Sequence, residues 1–137
     1  MHIKQRNCQK TYEPLKKIIE KTKSLPVVSL CLKAIADPKA LELVRRFAHH
    51  KVEFIRAQAA TSLGKIGTFE EIPLLKELIC DKDWWVRYRA AQAIANFPFL
   101  SNEEIIVIKD GIDDKYGRGI MEQVIAEKAL LENLDRT

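Results

Sequence analysis

Cysteine, glycine and proline are all scarce in this chain of 137 residues, which holds three of the first and five of each of the others. Cys8, Cys31 and Cys80 are odd in number and far apart, which excludes a disulfide framework and a CxxC metal knuckle. Cys31 and Cys80 stand in apolar runs, where a free thiol behaves as a small hydrophobe. A reducing compartment, the cytoplasm, is the expected location. So few helix breakers leave long stretches free to be helical. Period-two alternation is rare, so half-buried strands are not expected. No apolar run reaches the ~18 residues that span a bilayer, and charge stands where a signal peptide is apolar. There is no phosphate-binding glycine loop and no nucleophile elbow. No cysteine has an obvious base. Asp110, Asp113 and Asp114 fit no calcium loop. The adjacent His49 and His50 cannot both aim a ring at one metal. The expectation is therefore a protein with no catalytic residue, no metal and no cofactor, and not an enzyme.

Apolar residues make up 47% and charged residues 31%, a balance that suits a single folded domain rather than a disordered chain. The net charge of +4 is unevenly spread. Residues 1–33 hold eight Lys or Arg against two Glu, a balance of +6. Residues 34–100 come to +2, and residues 101–137 to −4.

A period of 31 residues runs through the chain. Arg56, Arg87 and Arg118 are separated by it, twice over. Phe54, Trp85 and Tyr116 each stand two places before the arginine; Leu63, Ile94 and Ile125 stand seven places after. Upstream, Leu43, Leu74 and Ile105 keep the same interval. A weaker copy aligns Leu32–Pro38 with Leu63–Phe69. Each unit reads as two helices. Thr68 with Glu71, and Ser101 with Glu104, match the capping box, and Asp37-Pro38 offers an N-cap followed by proline. Asp83 caps the second helix of the third unit, within which Val86, Ala90, Ala93, Ile94 and Phe97 share a face. Gly64, Gly67 and Pro98 mark the ends of second helices. First helices are predicted over 12–23, 38–49, 70–80 and 102–112, second helices over 25–36, 53–66, 84–97 and 116–133. Residues 1–11 read as a basic tail, and 12–134 as a repeat domain with units at 12–36, 38–66, 70–97 and 102–134. A hairpin of this length cannot bury its apolar face alone, so neighbours must stack. Ala57, Ala59, Ala60, Ala90, Ala91, Ala93 and Ala95 let the helices approach closely.

The run from Asp81 to Ile94, with Trp84, Trp85, Val86, Arg87 and Ala90-Ala91, resembles the second-helix signature of HEAT repeats. It is most similar to the HEAT-like branch of bacteria and archaea that includes phycobilisome lyase subunits. The copy from Phe54 to Gly67 matches the same pattern. The resemblance implies an all-α fold, a right-handed α-α superhelix of about four two-helix repeats. It implies that Arg56, Arg87 and Arg118 form a ladder between units with Asp81 and Asp83. It implies too that the second helices line a concave surface. Gly117, Met121 and Glu122 depart from the pattern in the last unit, as a terminal cap does.

Trp84, Trp85, Tyr88, Arg89, Gln92 and Asn96 in unit three would then form the middle of an inner strip, continued by Phe54, Gln58, Thr61 and Lys65 in unit two and by Lys115, Tyr116, Gln123 and Glu127 in unit four. Trp, Tyr and Arg are the residues enriched at binding hot spots. The expected function is that of a non-enzymatic scaffold, a monomer that grips a protein or extended peptide there. The alternative is binding of nucleic acid or an anionic membrane through the basic head, which includes His2, Lys4, Arg6, Lys10, Lys16, Lys17, Lys21, Lys23 and Lys33. Tyr12 is the head's sole aromatic, too few for a single-strand binder. HEAT-like stacks also include bilin lyase subunits, alkylpurine DNA glycosylases and metal-dependent hydroxylases. No His-Glu pair of the hydroxylase kind occurs here.

Overall fold

The computed structural model describes the backbone of residues 2–136 and the side chains of residues 12–136. Among them are eight α-helices: α1 (His2–Lys21), α2 (Leu25–Ala34), α3 (Leu41–Phe47), α4 (Glu53–Ile66), α5 (Ile72–Ile79), α6 (Trp84–Ala95), α7 (Asn102–Asp110) and α8 (Lys115–Arg136). Single 3-10 turns, Pro38–Ala40 and Phe69–Glu71, lead into α3 and α5. The chain is thus an all-α stack of four helical hairpins, as the period implies. α1 begins at His2 rather than at 12 and runs through Pro14. The side chains of the expected basic tail, residues 1–11, lie outside the described residues.

Local chemistry sets the helix starts. Asp37 accepts from the Lys39 N–H at 2.9 Å. Asp83 accepts from the N–H groups of Trp85 and Val86 at 3.0 and 3.1 Å. Both capping boxes form, at Thr68 with Glu71 and at Ser101 with Glu104. Each supplies partners for N–H groups that a helix leaves free at its first turn.

First helices pair with second helices, α3 with α4, α5 with α6, α7 with α8. Second helices of successive units also pack directly, α2 on α4, α4 on α6, α6 on α8. Leu32, Ile55, Leu63, Val86, Ile94 and Met121, all from second helices, lie at the core of these contacts, none exposed by as much as 2%. Small residues make the approach possible, as Ala59, Ala60, Ala90 and Ala91 are fully buried. Gly64 was expected to end its helix but lies inside α4. A Cβ there would stand 2.6 Å from Ala93 Cβ and 2.9 Å from Ala93 Cα. Its role is to let α4 lie against α6. Gly67 does sit at the end of α4, as its C-cap.

Side chains also tie one unit to the next. Lys65 Nζ donates to the Lys33 carbonyl at the end of α2 (2.9 Å), and Lys128 Nζ to the Ala95 carbonyl at the end of α6 (2.8 Å). Both cations thereby meet the negative end of a neighbouring helix. Buried Ser62 donates to the Leu32 carbonyl at 2.8 Å.

Candidate functional site

The second helices also carry the candidate site. Trp84 and Trp85 open α6 with 47% and 44% of their surface exposed. Their placement follows from Asp83, which fixes the first turn on the N–H groups of Trp85 and Val86. Val86 turns inward and is fully buried, so the two indoles are left outside. One turn on, Tyr88 stacks on Trp84 with ring centroids 5.0 Å apart and on Trp85 at 5.6 Å. The Arg89 guanidinium lies 4.5 Å over the Trp85 ring, a cation–π contact. Arg89 also donates to Gln92 Oε1 at 3.0 Å.

Tyr88 reaches across to the last unit, where its hydroxyl donates to Glu127 Oε2 at 2.6 Å. Gln123 Nε2 donates to the other carboxylate oxygen at 3.0 Å. The Glu127 bond pushes the Tyr88 phenol above its ordinary pKa, and the same bond holds the Glu127 carboxyl below the ordinary range. Four side chains of α6 are therefore held in one arrangement from two sides.

Two grooves flank this cluster. One lies between α4 and α6, lined by Thr61, Lys65, Arg89, Gln92, Ala93 and Asn96, with a volume near 280 Å³. The other lies between α6 and α8, where Gln92, Asn96, Glu127, Lys128, Glu132 and Asp135 enclose about 240 Å³. Gln92 and Asn96 form the shared wall.

The remaining strip residues lie on neighbouring units. Phe54 is 41% exposed at the start of α4, and Tyr116 is 65% exposed at the start of α8, where Lys115 Nζ lies 5.4 Å from its ring. Gln58 donates to Ser62 Oγ at 3.3 Å, and Thr61 donates to the Ala57 carbonyl at 3.2 Å.

The arginine ladder has a single rung. Arg56 makes a two-pronged pair with Asp81 of the next unit, Nε to Oδ2 at 2.9 Å and Nη2 to Oδ1 at 3.0 Å. Its Nη1 donates to the carbonyls of His50 and Lys51. Burial pushes the Asp81 carboxyl up, but Arg56 and the Asp83 N–H outweigh it, and its pKa falls below the ordinary value. Arg87 was expected to meet the carboxylate of Asp81 or Asp83. It donates instead to the carbonyls of Asp81 and Lys82, at 2.9 and 3.2 Å. The position 25 residues on, which is Asp81 for Arg56, is the buried Ile112 for Arg87. The rung is therefore missing, and Arg87 Nε is buried without a partner among the described residues. Arg118 is exposed, with no side-chain hydrogen bond or ion pair among the described residues, and Asp83 serves as a helix cap.

A second tie between units was not foreseen. Arg45 Nε donates to Glu71 Oε1 at 2.9 Å, and the Glu71 side chain is fully buried. Glu71 thus caps its own unit and anchors the one before. Burial pushes its carboxyl up, but the Thr68 N–H and Arg45 prevail and lower it. The capping-box spacing revealed Glu71; nothing in the period marks Arg45.

His50 Nδ1 accepts from the Val52 N–H at 3.0 Å and its ring stacks on Phe47. It stands in the column of Asp81 and does the same local work, since Asp81 Oδ1 accepts from the Asp83 N–H at 2.9 Å. Lys17, Lys21, Lys23 and Lys33 of the basic head are exposed. Among the described residues no helix is long and apolar enough to cross a membrane.

Comparison with known proteins agrees with this architecture. The family model described as HEAT repeats matches residues 13–95 and, in a second register, 56–120. The chain belongs to the HEAT-repeat family. A HEAT-repeat chain is a helical repeat scaffold, which the four hairpins display. Deoxyhypusine hydroxylase of Eremothecium gossypii is 34% identical over 68 residues, 50% of this chain and 20% of that protein. The stretch is about two of the 31-residue units. This match overturns the expectation that the chain is not an enzyme. That expectation rested on missing motifs, whereas the relative shows an enzyme's name attached to a chain alike in these repeats.

Proposed function

We propose that this HEAT-repeat scaffold holds a protein or extended peptide on the inner face of its second helices, with Trp84, Trp85, Tyr88 and Arg89 as anchors. One observation carries the reading: the stacked cluster of α6, in which exposed Trp84 and Trp85 rest against half-buried Tyr88 and Arg89, with Tyr88 held by Glu127 and two grooves alongside. Side chains already held in one arrangement lose little rotamer freedom on binding. Trp, Tyr and Arg in a partly desolvated cluster supply large contact area. Close packing of second helices bends such a stack with those helices inside, which makes the face concave. A partner lying across it meets Lys65 near α4 and Glu127, Glu132 and Asp135 near α8. Affinity capture with the wild-type chain and with Tyr88→Ala/Arg89→Ala tests the reading. The double variant should lose the partners that the wild type enriches, with circular dichroism checking that its helices are retained despite the lost Tyr88–Glu127 bond. If both capture the same partners, the strip is not the binding face.

A second reading has the 34% identical relative behind it. In it, the chain supplies repeats to a hydroxylase that acts on deoxyhypusine. Incubation with a deoxyhypusine-bearing substrate, followed by mass spectrometry for the gain of one oxygen atom, distinguishes it from the first.

A further inference from the structure

The two ends of the stack are opposite in charge, and both expose apolar side chains. Residues 1–33 balance to +6 and residues 101–137 to −4. At the first end, exposed Lys17, Lys21, Lys23 and Lys33 accompany Ile18 and Leu30, which are 44% and 66% exposed. At the last end, α8 outruns its repeat. By the 31-residue shift, the end of α6 at Ala95 corresponds to Ala126, yet α8 continues to Arg136. Every residue from Ala129 to Arg136 is exposed, Leu130 and Leu131 by 61% and 62%. α7 adds Ile106 and Val107, 42% and 69% exposed. Between α7 and α8 opens a cleft of about 130 Å³, walled by Ile105, Ile106, Ile125 and Ala129, with Lys128 and Glu132 at its rim. Glu103, Glu104, Asp110, Glu122, Glu132 and Asp135 are exposed on the same unit. End repeats of a solenoid ordinarily turn a polar outer face to water.

We propose that the acidic, apolar end of one copy docks on the basic end of a second copy, continuing the stack from one molecule to the next. Charge chooses this arrangement. Two acidic ends brought together would repel, as would two basic ones, whereas unlike ends attract and are steered together. The contact joins different surfaces, so each added copy brings one free end, and growth continues past the dimer until a run of copies closes on itself. Leu130 and Leu131 of one copy and Ile18 and Leu30 of the other lose their exposure in it.

Sedimentation velocity from micromolar to millimolar concentration tests the proposal. Two variants make the test specific: Leu130→Glu/Leu131→Glu blocks the acidic end, and Lys17→Glu/Lys21→Glu blocks the basic end. All four residues are exposed, and circular dichroism checks that the helices are retained. The wild-type weight-average mass should climb past that of a dimer with concentration and fall back in high salt. Each variant alone should stay monomeric. Their equimolar mixture should form a one-to-one dimer and stop there, since one supplies the only working acidic end and the other the only working basic end. A wild type that stays monomeric throughout, a mass that levels at the dimer, or a mixture that does not pair each overturns the proposal.

Discussion

Replacing Gly64 by alanine sets two opposing effects against each other, and the structure decides between them. Glycine inside a helix is unfavourable, and alanine there is intrinsically better by about 0.8–1 kcal/mol. Among the described residues no glycine has positive φ, so the backbone of α4 accepts a side chain at this position. Space does not. The new methyl would stand 2.6 Å from Ala93 Cβ and 2.9 Å from Ala93 Cα. The second neighbour is backbone of α6, which yields only if the two helices part. Ala59, Ala60 and Ala90, fully buried beside this seam, would lose contact as they did so. Overpacking of this kind costs about 1–3 kcal/mol. The backbone clash sets the sign, and Gly64→Ala should lose up to about 2 kcal/mol net, where an unhindered helical glycine would gain. Gly119 is the matched control. It lies in α8 with nothing within 4 Å of an added Cβ, so Gly119→Ala should gain up to about 1 kcal/mol. Urea titration followed by helical circular dichroism measures both. A Gly64→Ala protein as stable as Gly119→Ala would refute the claim that this glycine sets the distance between units two and three.

Two further outcomes concern the ties between units. Arg56→Met leaves the Asp81 carboxylate, whose side chain is 12% exposed, without its guanidinium, and should cost about 3–5 kcal/mol. Adding Asp81→Asn should recover part of that loss, and simple additivity of the two single changes in denaturant titration would count against the pairing. The carboxyls of Asp81 and Glu71 sit below their ordinary pKa values, so what they contribute is complete above about pH 4.5 and is lost as pH falls through the lowered values. Wild-type unfolding free energy should therefore drop on acidification below about pH 4.5, and Glu71→Gln should flatten that slope. Equal slopes in the two proteins would show that Glu71 does not carry the acid sensitivity.

The 31-residue interval made the hairpins legible because stacking forces the same apolar positions to recur. Ile55 and Val86 share a column and are both fully buried, as are Leu63 and Ile94. Helix starts were legible where a side chain caps its own turn, at Asp37, Thr68, Asp83 and Ser101. Contacts between units were harder to read, because one residue says nothing of its partner in the next hairpin. Arg87 repeats Arg56 in type and register, yet only Arg56 has a carboxylate opposite. The difference lies at position 112, where isoleucine replaces the acid. Arg45 with Glu71 escaped for the same reason. Gly64 looked like a helix end because glycine often is one, and only the placement of Ala93 across the seam shows its use.

Columns that the stack does not need tell more about what the molecule does. Thr61, Gln92 and Gln123 hold one polar column across three units, and Lys65, Asn96 and Glu127 hold the next, its charge running from positive through neutral to negative. At the columns of Tyr88 and Arg89, unit two has Ala57 and Gln58, while unit four has Gly119 and Ile120. If stacking required a large ring and a guanidinium at those places, neighbouring units would supply them too. They do not, and Ala57, Gln58, Gly119 and Ile120 stand there instead. Trp84, Tyr88 and Arg89 are therefore additions made in one unit beside Trp85, whose own column is aromatic in all three units as Phe54, Trp85 and Tyr116. Exposed aromatic surface is a liability, and Trp84 and Trp85 keep 47% and 44% of theirs open to water, which is why the proposed binding face is centred on them.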